Sequence, residues 1–223
     1  ADEAANFDSS AFDQELIKQW RKARVIRLLQ AASNPGLLTS GTGFAVDPSV
    51  DLDVSDLIPL IGEFKDGVIS SAKIDWTVKK AQELMDQGEK VLLWTSWVPN
   101  IHLLEGLLSK YNPLLLYGAI KPYEESDDPE EVSRERNIRE FKTRDDRPLL
   151  IANPAACSEA ISLHQVCHNA VYVDRTYNYG QFNQSLNRIH RIGLPPGTIT
   201  HYWIPKIECP IEDSVNDRLE QRE

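Results

Sequence analysis

The chain has 223 residues, 41% of them hydrophobic, enough for one α/β domain with an appendage around its own core. A formal charge of −10 and a pI near 5.0 exclude a protein that holds nucleic acid by bulk charge, so any such contact must be a local groove. No apolar run approaches the roughly 18 residues of a membrane span, ADEAANFDSS has neither region of a signal peptide, and Cys157, Cys167 and Cys209 are too few for a disulfide scaffold, which makes a reducing cytoplasmic setting the expectation.

Residues 11–31 predict a helix, with Leu16, Ile17, Trp20, Ile26 and Leu29 among its apolar positions, stopped by Asn34-Pro35-Gly36. Residues 39–70, rich in Gly, Asp, Ser and Pro with a brief apolar patch at Leu57–Ile61, read as an irregular connection. A regular alternation follows: a helix over Ala72–Met85 stopped by Gly88, a strand over Lys90–Thr95, a helix over Ile101–Leu108 and a strand over Pro113–Tyr117. KPYEESDDPEE, starting at Lys121, crowds like charges into a solvated loop. Val132–Phe141 is again helical and carries Arg134, Arg136 and Arg139, of which Arg134 and Arg136 read as a solvated face before a more specific role. Strands over Leu149–Ala152 and Ala170–Val173 flank a helix at about 157–166, and a strand over Ile199–Ile204 and a helix over Ile211–Leu219 complete the series.

Strands alternating with helices of this length imply a mainly parallel sheet covered on both faces. Such sheets place their functional loops beyond the carboxyl ends of the strands, here Thr95–Pro99, Gly118–Ile120, Asn153–Glu159 and Arg175–Asn183. The stretch QSLNRIHRIG, from Gln184 to Gly193, sets Arg188 and Arg191 three apart on one predicted helix face. Two guanidinium forks at that spacing suit a polyphosphate, and no acidic residue occurs between Arg175 and Ile207; a solvated basic turn of helix is the plain alternative.

VLLWTSW at 91–97, YGAI at 117–120, RPLLIANPAACSEAISLH at 147–164, NAVYVDRTYN at 169–178 and QSLNRIHRIG together resemble motifs IV, V and VI of Swi/Snf-type DNA translocases of helicase superfamily two. The resemblance covers roughly residues 70–220, and RLLQAASNPGLL at 27–38 is similar to the helix and His-Pro turn that precede the second lobe, with Asn34 where His is usual. It implies a RecA-like α/β lobe over 71–207, after an N-terminal helix and connection over 1–70 and before a brace-like C-terminal helix over 208–223. It further implies that Thr95, Ser96 and Gly118 touch the DNA backbone, that Asn153 and Ser158 face DNA, and that Glu159, Gln184, Arg188 and Arg191 face ATP. Arg191 would be the arginine finger and Arg188 its companion.

The resemblance also implies partners: duplex DNA, no membrane, and ATP with Mg2+ held jointly with an N-terminal lobe of the same polypeptide. This chain has no G-x-x-x-x-G-K-[ST] loop and no D-E-x-H block; GTGFAVD at 41–47 lacks the lysine. It therefore reads as the second half of a motor, inactive alone, and its ending within a helical pattern is consistent with a fragment. LHQVCHNAVYVDR and RIHRIGLPPG resemble bacterial members more than chromatin remodellers, which suggests a nucleoid or defence role. The family's glycine-rich motif V core is replaced by CSEAISL at 157–163, and glycine there would allow close backbone approach.

Several residues carry a second reading. Thr95 and Ser96 can cap the following helix, Trp94 and Trp97 can be core rather than a stacking surface, and Asp174 and Arg175 can simply pair at the strand end. Cys157 as a nucleophile with His164 or His168, and HQVCH as a zinc site with Cys209 as the spare thiol, are weaker readings than a packed helix end. A non-catalytic DNA- or protein-binding module derived from a helicase lobe is the alternative to the motor. A nucleotide-dependent transferase would want a glycine-rich fingerprint that is missing.

Overall fold

The protein is described by a computed structural model over residues 22–39, 57–122, 132–156, 161–194 and 196–221. Its strands are Val91–Trp94 (β1), Leu114–Leu116 (β2), Leu149–Ala152 (β3), Asn169–Tyr172 (β4) and His201–Trp203 (β5). They form one sheet in the order β2-β3-β1-β4-β5, and every neighbouring pair is parallel. β1 and β3 are unbroken apolar runs, buried at every residue, because a central parallel strand is covered on both faces. The helices are α1 over residues 22–33, Leu57–Lys65 (α2), Ala72–Asp86 (α3), Val98–Leu107 (α4), Arg134–Thr143 (α5), Tyr179–Leu186 (α6) and Pro210–Glu220 (α7).

Alternation along the strands divides the core. Val91, Leu93, Leu149, Ile151 and Val171 meet Ile74, Ala81 and Leu84 of α3 and Ile101 and Leu104 of α4. Leu92, Trp94, Leu150, Ala170 and Tyr172 meet Phe141 of α5, Ile161 and Leu163 ahead of β4, and Phe182 of α6 on the opposite face. Each fully buried leucine contributes about 1.5–3 kcal/mol relative to exposure, so these two layers dominate the stability. A third cluster joins Leu29 of α1 to Val215 and Leu219 of α7, with Trp97, Tyr177 and Phe182 against it. The helices nearest the two ends of the chain thus pack on each other over the loops that leave β1 and β4.

Helix ends follow local chemistry. α3 stops in a paired motif in which Gly88, at φ +83°, donates to the Met85 carbonyl and Glu89 donates to the Leu84 carbonyl. A side chain disfavours that φ, so the glycine read as a stop signal is the residue the turn requires. Lys90 closes α5 from a distance, its Nζ donating to the carbonyls of Phe141 and Arg144 at 2.7 Å each. Gly36, in the 3-10 turn Pro35–Thr39 after α1, serves close approach: a Cβ there would sit 3.2 Å from the backbone of Phe64 and Lys65 in α2.

Three expectations are corrected. Leu57–Lys65 is a helix rather than irregular connection, because its apolar patch packs against the turn at Pro35–Thr39. Residues 161–166 are not helical; they are an extended segment and a turn, pinned by the Leu163 N–H on the Arg188 carbonyl. Arg188 and Arg191 do not share a helix face, since α6 ends at Leu186 and both arginines follow in turns. Residues 11–21 of the first predicted helix, GTGFAVD, most of the acidic loop and Cys157–Ala160, including Ser158 and Glu159, lie outside the described residues.

Lys73 at the start of α3 and Glu212 in the first turn of α7 form a 2.5 Å ion pair with side-chain exposures of only 3% and 10%. Removing one member of so buried a pair leaves the other charge uncompensated. Glu212→Gln is expected to lower unfolding free energy by about 3 kcal/mol in urea titrations, and the double variant Lys73→Met/Glu212→Leu to recover most of it. A loss below roughly 0.5 kcal/mol for the single variant would contradict this role for the pair.

Candidate functional site

β1 sends its chain to α4 on one face of the sheet, while the chain leaving β3 and β4 turns to the other face. Loops that diverge in this way leave a crevice at the carboxyl ends of the strands. A narrow cleft lies there, lined by Ser96, Pro154, Asp174, Arg175, Asn178 and Gln181 among others, with interior room for little more than an ordered water. Ligand chemistry at this edge is therefore surface contact with a protruding group.

Asp174 organises the edge. Its Oδ1 accepts from the Ser96 N–H at 2.7 Å, and its Oδ2 accepts from the Thr95 hydroxyl at 2.6 Å and the Ser33 hydroxyl at 3.0 Å. Asn100 donates to the Ser33 hydroxyl and accepts from Asn34, while Ser71 donates to the Ser33 carbonyl. Asp174, Thr95, Asn100, Ser33 and Asn34 are all buried, so this is a satisfied polar network within an apolar setting. It ties the turn after α1 to the exits of β1 and β4. Asn34, at the position where the family's His was expected, uses its side chain on Asn100 and on the Gly36 N–H.

Each predicted residue among the described ones has a definite place. Thr95 is fully buried; besides its bond to Asp174 it accepts from the Trp97 N–H at 3.3 Å, next to a helix start that has no side-chain cap of its own. Ser96 is half-buried on the cleft, its peptide held on both sides: N–H on Asp174, carbonyl receiving the Asn153 side chain at 3.1 Å. Asn153 also accepts from the Ala155 N–H, so its side chain shapes the exit of β3. Gly118 is exposed beyond β2, in a loop whose Ile120 carbonyl is gripped by Arg134 at 2.6 Å. Arg134 is thus a loop anchor rather than part of a solvated face.

The arginine pair sits apart from this edge. α6 starts after the carboxyl end of β4 and runs toward the segment that feeds β4 from below, carrying Gln184, exposed, and then Arg188 and Arg191 to its far end. Arg188 is 9% exposed and donates to the Ile161 carbonyl at 3.3 Å, while its own carbonyl accepts from Leu163. Arg191 is exposed in the following turn. The structure therefore brings Thr95, Ser96 and Asn153 together, leaves Gly118 on a neighbouring loop, and puts the arginines elsewhere.

The secondary readings that fall on described residues resolve on the same grounds, and Cys157 lies outside them. Asp174 and Arg175 do not pair: Asp174 is taken by Ser33, Thr95 and Ser96, and Arg175 donates to Asn216 of α7 with its guanidinium 5.6 Å over the Phe182 ring. Trp94 is core, 1% exposed and 6.4 Å from Tyr172, and Trp97 belongs to the cluster under α1 and α7. No set of three metal-binding side chains gathers among the described residues. Cys167 is fully buried with its thiol toward the carbonyls of Lys90 and Asn169, and burial pushes it up to about 12.

These features define a RecA-like α/β lobe with its loops stitched at the strand exits. Among the solved structures that share the fold are three with TM-scores near 0.57. The C-terminal part of the Fun30 ATPase domain matches at 22% identity and TM-score 0.57, covering 74% of this chain and 52% of that one. The Sulfolobus solfataricus SWI2/SNF2 ATPase core in complex with dsDNA matches at 19% identity and 0.57, covering 90% and 35%. The C-terminal domain of the Sulfolobus solfataricus SWI2/SNF2 ATPase matches at 15% and 0.56, covering 92% and 70%. This chain thus spans about half of the Fun30 piece and about a third of the Sulfolobus core. No protein-family model and no curated protein matches the sequence.

The buried thiol makes a measurable claim. A thiol whose folded value is raised keeps its proton where the unfolded chain has lost it, so its contribution is complete below the ordinary value of 9.0 and is lost as pH rises toward about 12. Stability should fall through that window with a slope of up to roughly 1.4 kcal/mol per pH unit from this group. Tyr172 is raised by burial as well, so the reading is the difference between wild type and Cys167→Ala. Equal slopes in the two proteins would contradict it.

Proposed function

We propose that this chain is the second motor lobe of an ATP-dependent, duplex-DNA translocase of Swi/Snf type. The observation that carries the reading is the coincidence of a fold shared with SWI2/SNF2 C-terminal domains and the series Gln184, Arg188 and Arg191 at the end of α6. One of those neighbours was solved with dsDNA, which supports duplex DNA as the partner. At the strand exits, the Ser96 hydroxyl, the exposed backbone at Gly118 and the Val98 N–H at the start of α4 offer donors to a phosphate backbone, with Thr95 and Asn153 holding the Ser96 loop in place.

ATP and Mg2+ belong to this proposal through a separate lobe of the same polypeptide. The donor set here fits only a share of the nucleotide: Gln184 and Arg191 are exposed and able to reach phosphate oxygens, and magnesium would be held by groups outside the described residues. Bound nucleotide would supply the phosphoryl group to be transferred. Arg191 would then present a cation where charge accumulates on that group, while Arg188 braces the turn by fastening it to Ile161 and Leu163. Glu159 and Ser158 retain the motif V roles implied by the resemblance. A bacterial, nucleoid-associated setting rests on the sequence strings alone. The alternative, a non-catalytic module, draws on the altered CSEAISL segment.

In the complete protein, Arg191→Ala is expected to bind duplex DNA as wild type does and to lose about 10³ to 10⁵ in hydrolysis rate. Steady-state ATPase assays beside DNA titrations read both quantities. Hydrolysis within a few-fold of wild type would remove Arg191 from the finger role.

A further inference from the structure

Arg175 is a half-buried guanidinium on the wall of the cleft at the strand exits, and none of the ion pairs among the described residues includes it. Burial holds its pKa below the ordinary arginine value, with Glu212 and Glu220 of α7 opposing that shift from beyond ion-pair reach. Glu212 is itself taken by Lys73. Asp174, the adjacent carboxylate, is spent on Ser33, Thr95 and Ser96. Phe182 and Asn216 orient the guanidinium without neutralising it. A cation removed from water without a counter-charge is costly, and an anionic ligand is the ordinary compensation.

The surroundings specify which anion. The cleft interior is too small for a base or a nucleotide, so only an oxygen-bearing tip can enter. Ser96, Thr176 and Gln181 line the same cleft as Arg175, its one acidic lining residue is the already satisfied Asp174, and no acidic residue follows Arg175 in sequence until beyond Ile207. A planar guanidinium beside hydroxyl and amide donors matches phosphate oxygens. We propose that Arg175 and Ser96 form a subsite for one backbone phosphate of duplex DNA. This rests on the DNA-binding reading above; free phosphate shares the chemistry and is separated from DNA by the experiment.

The test uses the 223-residue chain, duplex DNA of two unrelated sequences, and anisotropy titrations across a salt series. Arg175→Gln is expected to weaken both duplexes alike and to reduce the slope of log K against log salt by about one. Arg175→Lys retains the charge and is expected to keep most of that slope, and Asn216→Ser, which frees the tether but not the charge, to keep it as well. Thermal melts accompany every variant, so the Lys substitution answers if the Gln substitution fails to fold. Wild-type affinity and slope in Arg175→Gln would overturn the subsite while leaving DNA binding intact, and loss of slope in Asn216→Ser alone would reduce Arg175 to a structural tether and overturn it too. If wild type binds no duplex, inorganic phosphate is titrated while the Ser96 and Thr176 amides are followed by NMR. Shifts abolished by Arg175→Gln would then leave an anion site and overturn its assignment to DNA, and no shift would overturn the site itself.

Discussion

A single buried carboxylate fixes the working edge of this lobe. Asp174 accepts three hydrogen bonds from two distant parts of the chain: from Ser33 at the end of α1, and from the Thr95 hydroxyl and the Ser96 amide where the chain leaves β1 toward α4. A buried carboxylate is tolerable only when its oxygens are satisfied, so the three donors and the acceptor require one another. Through Ser96 the constraint reaches Asn153 and the exit of β3, and through Ser33 it reaches Asn100 and Asn34. The loops at the strand exits are therefore one hydrogen-bonded unit. They are also where the fold opens its crevice, because the connections leaving β1 and β4 diverge to opposite faces of the sheet.

The far end of α6 is a second, separate centre. Eight helical residues span about 12 Å, and over that length the chain passes from the loop holding Arg175 to the turns holding Arg188 and Arg191. Short rigid elements of this kind transmit displacement between their ends, because packed cores do not deform continuously. Tyr172 and Ser185 hydrogen-bond at 2.7 Å, and the Tyr202 hydroxyl donates to the Leu186 carbonyl, so the last turn of α6 is locked to β4 and β5. In the proposed motor this lock would let a phosphate held at Arg191 and a DNA phosphate held at Ser96 sense one rigid body. α7 fastens the same body from outside through Lys73, Arg175 and Tyr177.

The parallel sheet was legible because its strands are short apolar runs separated by helical periodicity, and their positions differ from expectation by only a residue or two at each end. The arginine series was legible as a pair but not as a geometry: QSLNRIHRIG has helical spacing, yet the bond from Leu163 to the Arg188 carbonyl draws the chain into a turn at that point. Tertiary contact overrode a local pattern there, as it did at residues 57–65, where a loop-like composition surrounds a helix. The Asp174 junction could not be read at all. Ser33, Thr95 and Asp174 are far apart in sequence and each is an ordinary polar residue; only the fold shows that they share a buried site. Arg175 was ambiguous beside Asp174 because adjacency suggests pairing, whereas the pairing depends on where each side chain finds room.

Amide shift mapping of the 15N-labelled chain with a short duplex tests the central claim most directly, namely that the strand-exit unit is the DNA-binding surface. The account predicts that titrated duplex shifts the amides of Ser96, Trp97, Gly118, Arg175 and Thr176 together, leaving α3 and β5 unmoved. Shifts confined to α3 or the outer face of α4, or none at saturating duplex, would contradict it.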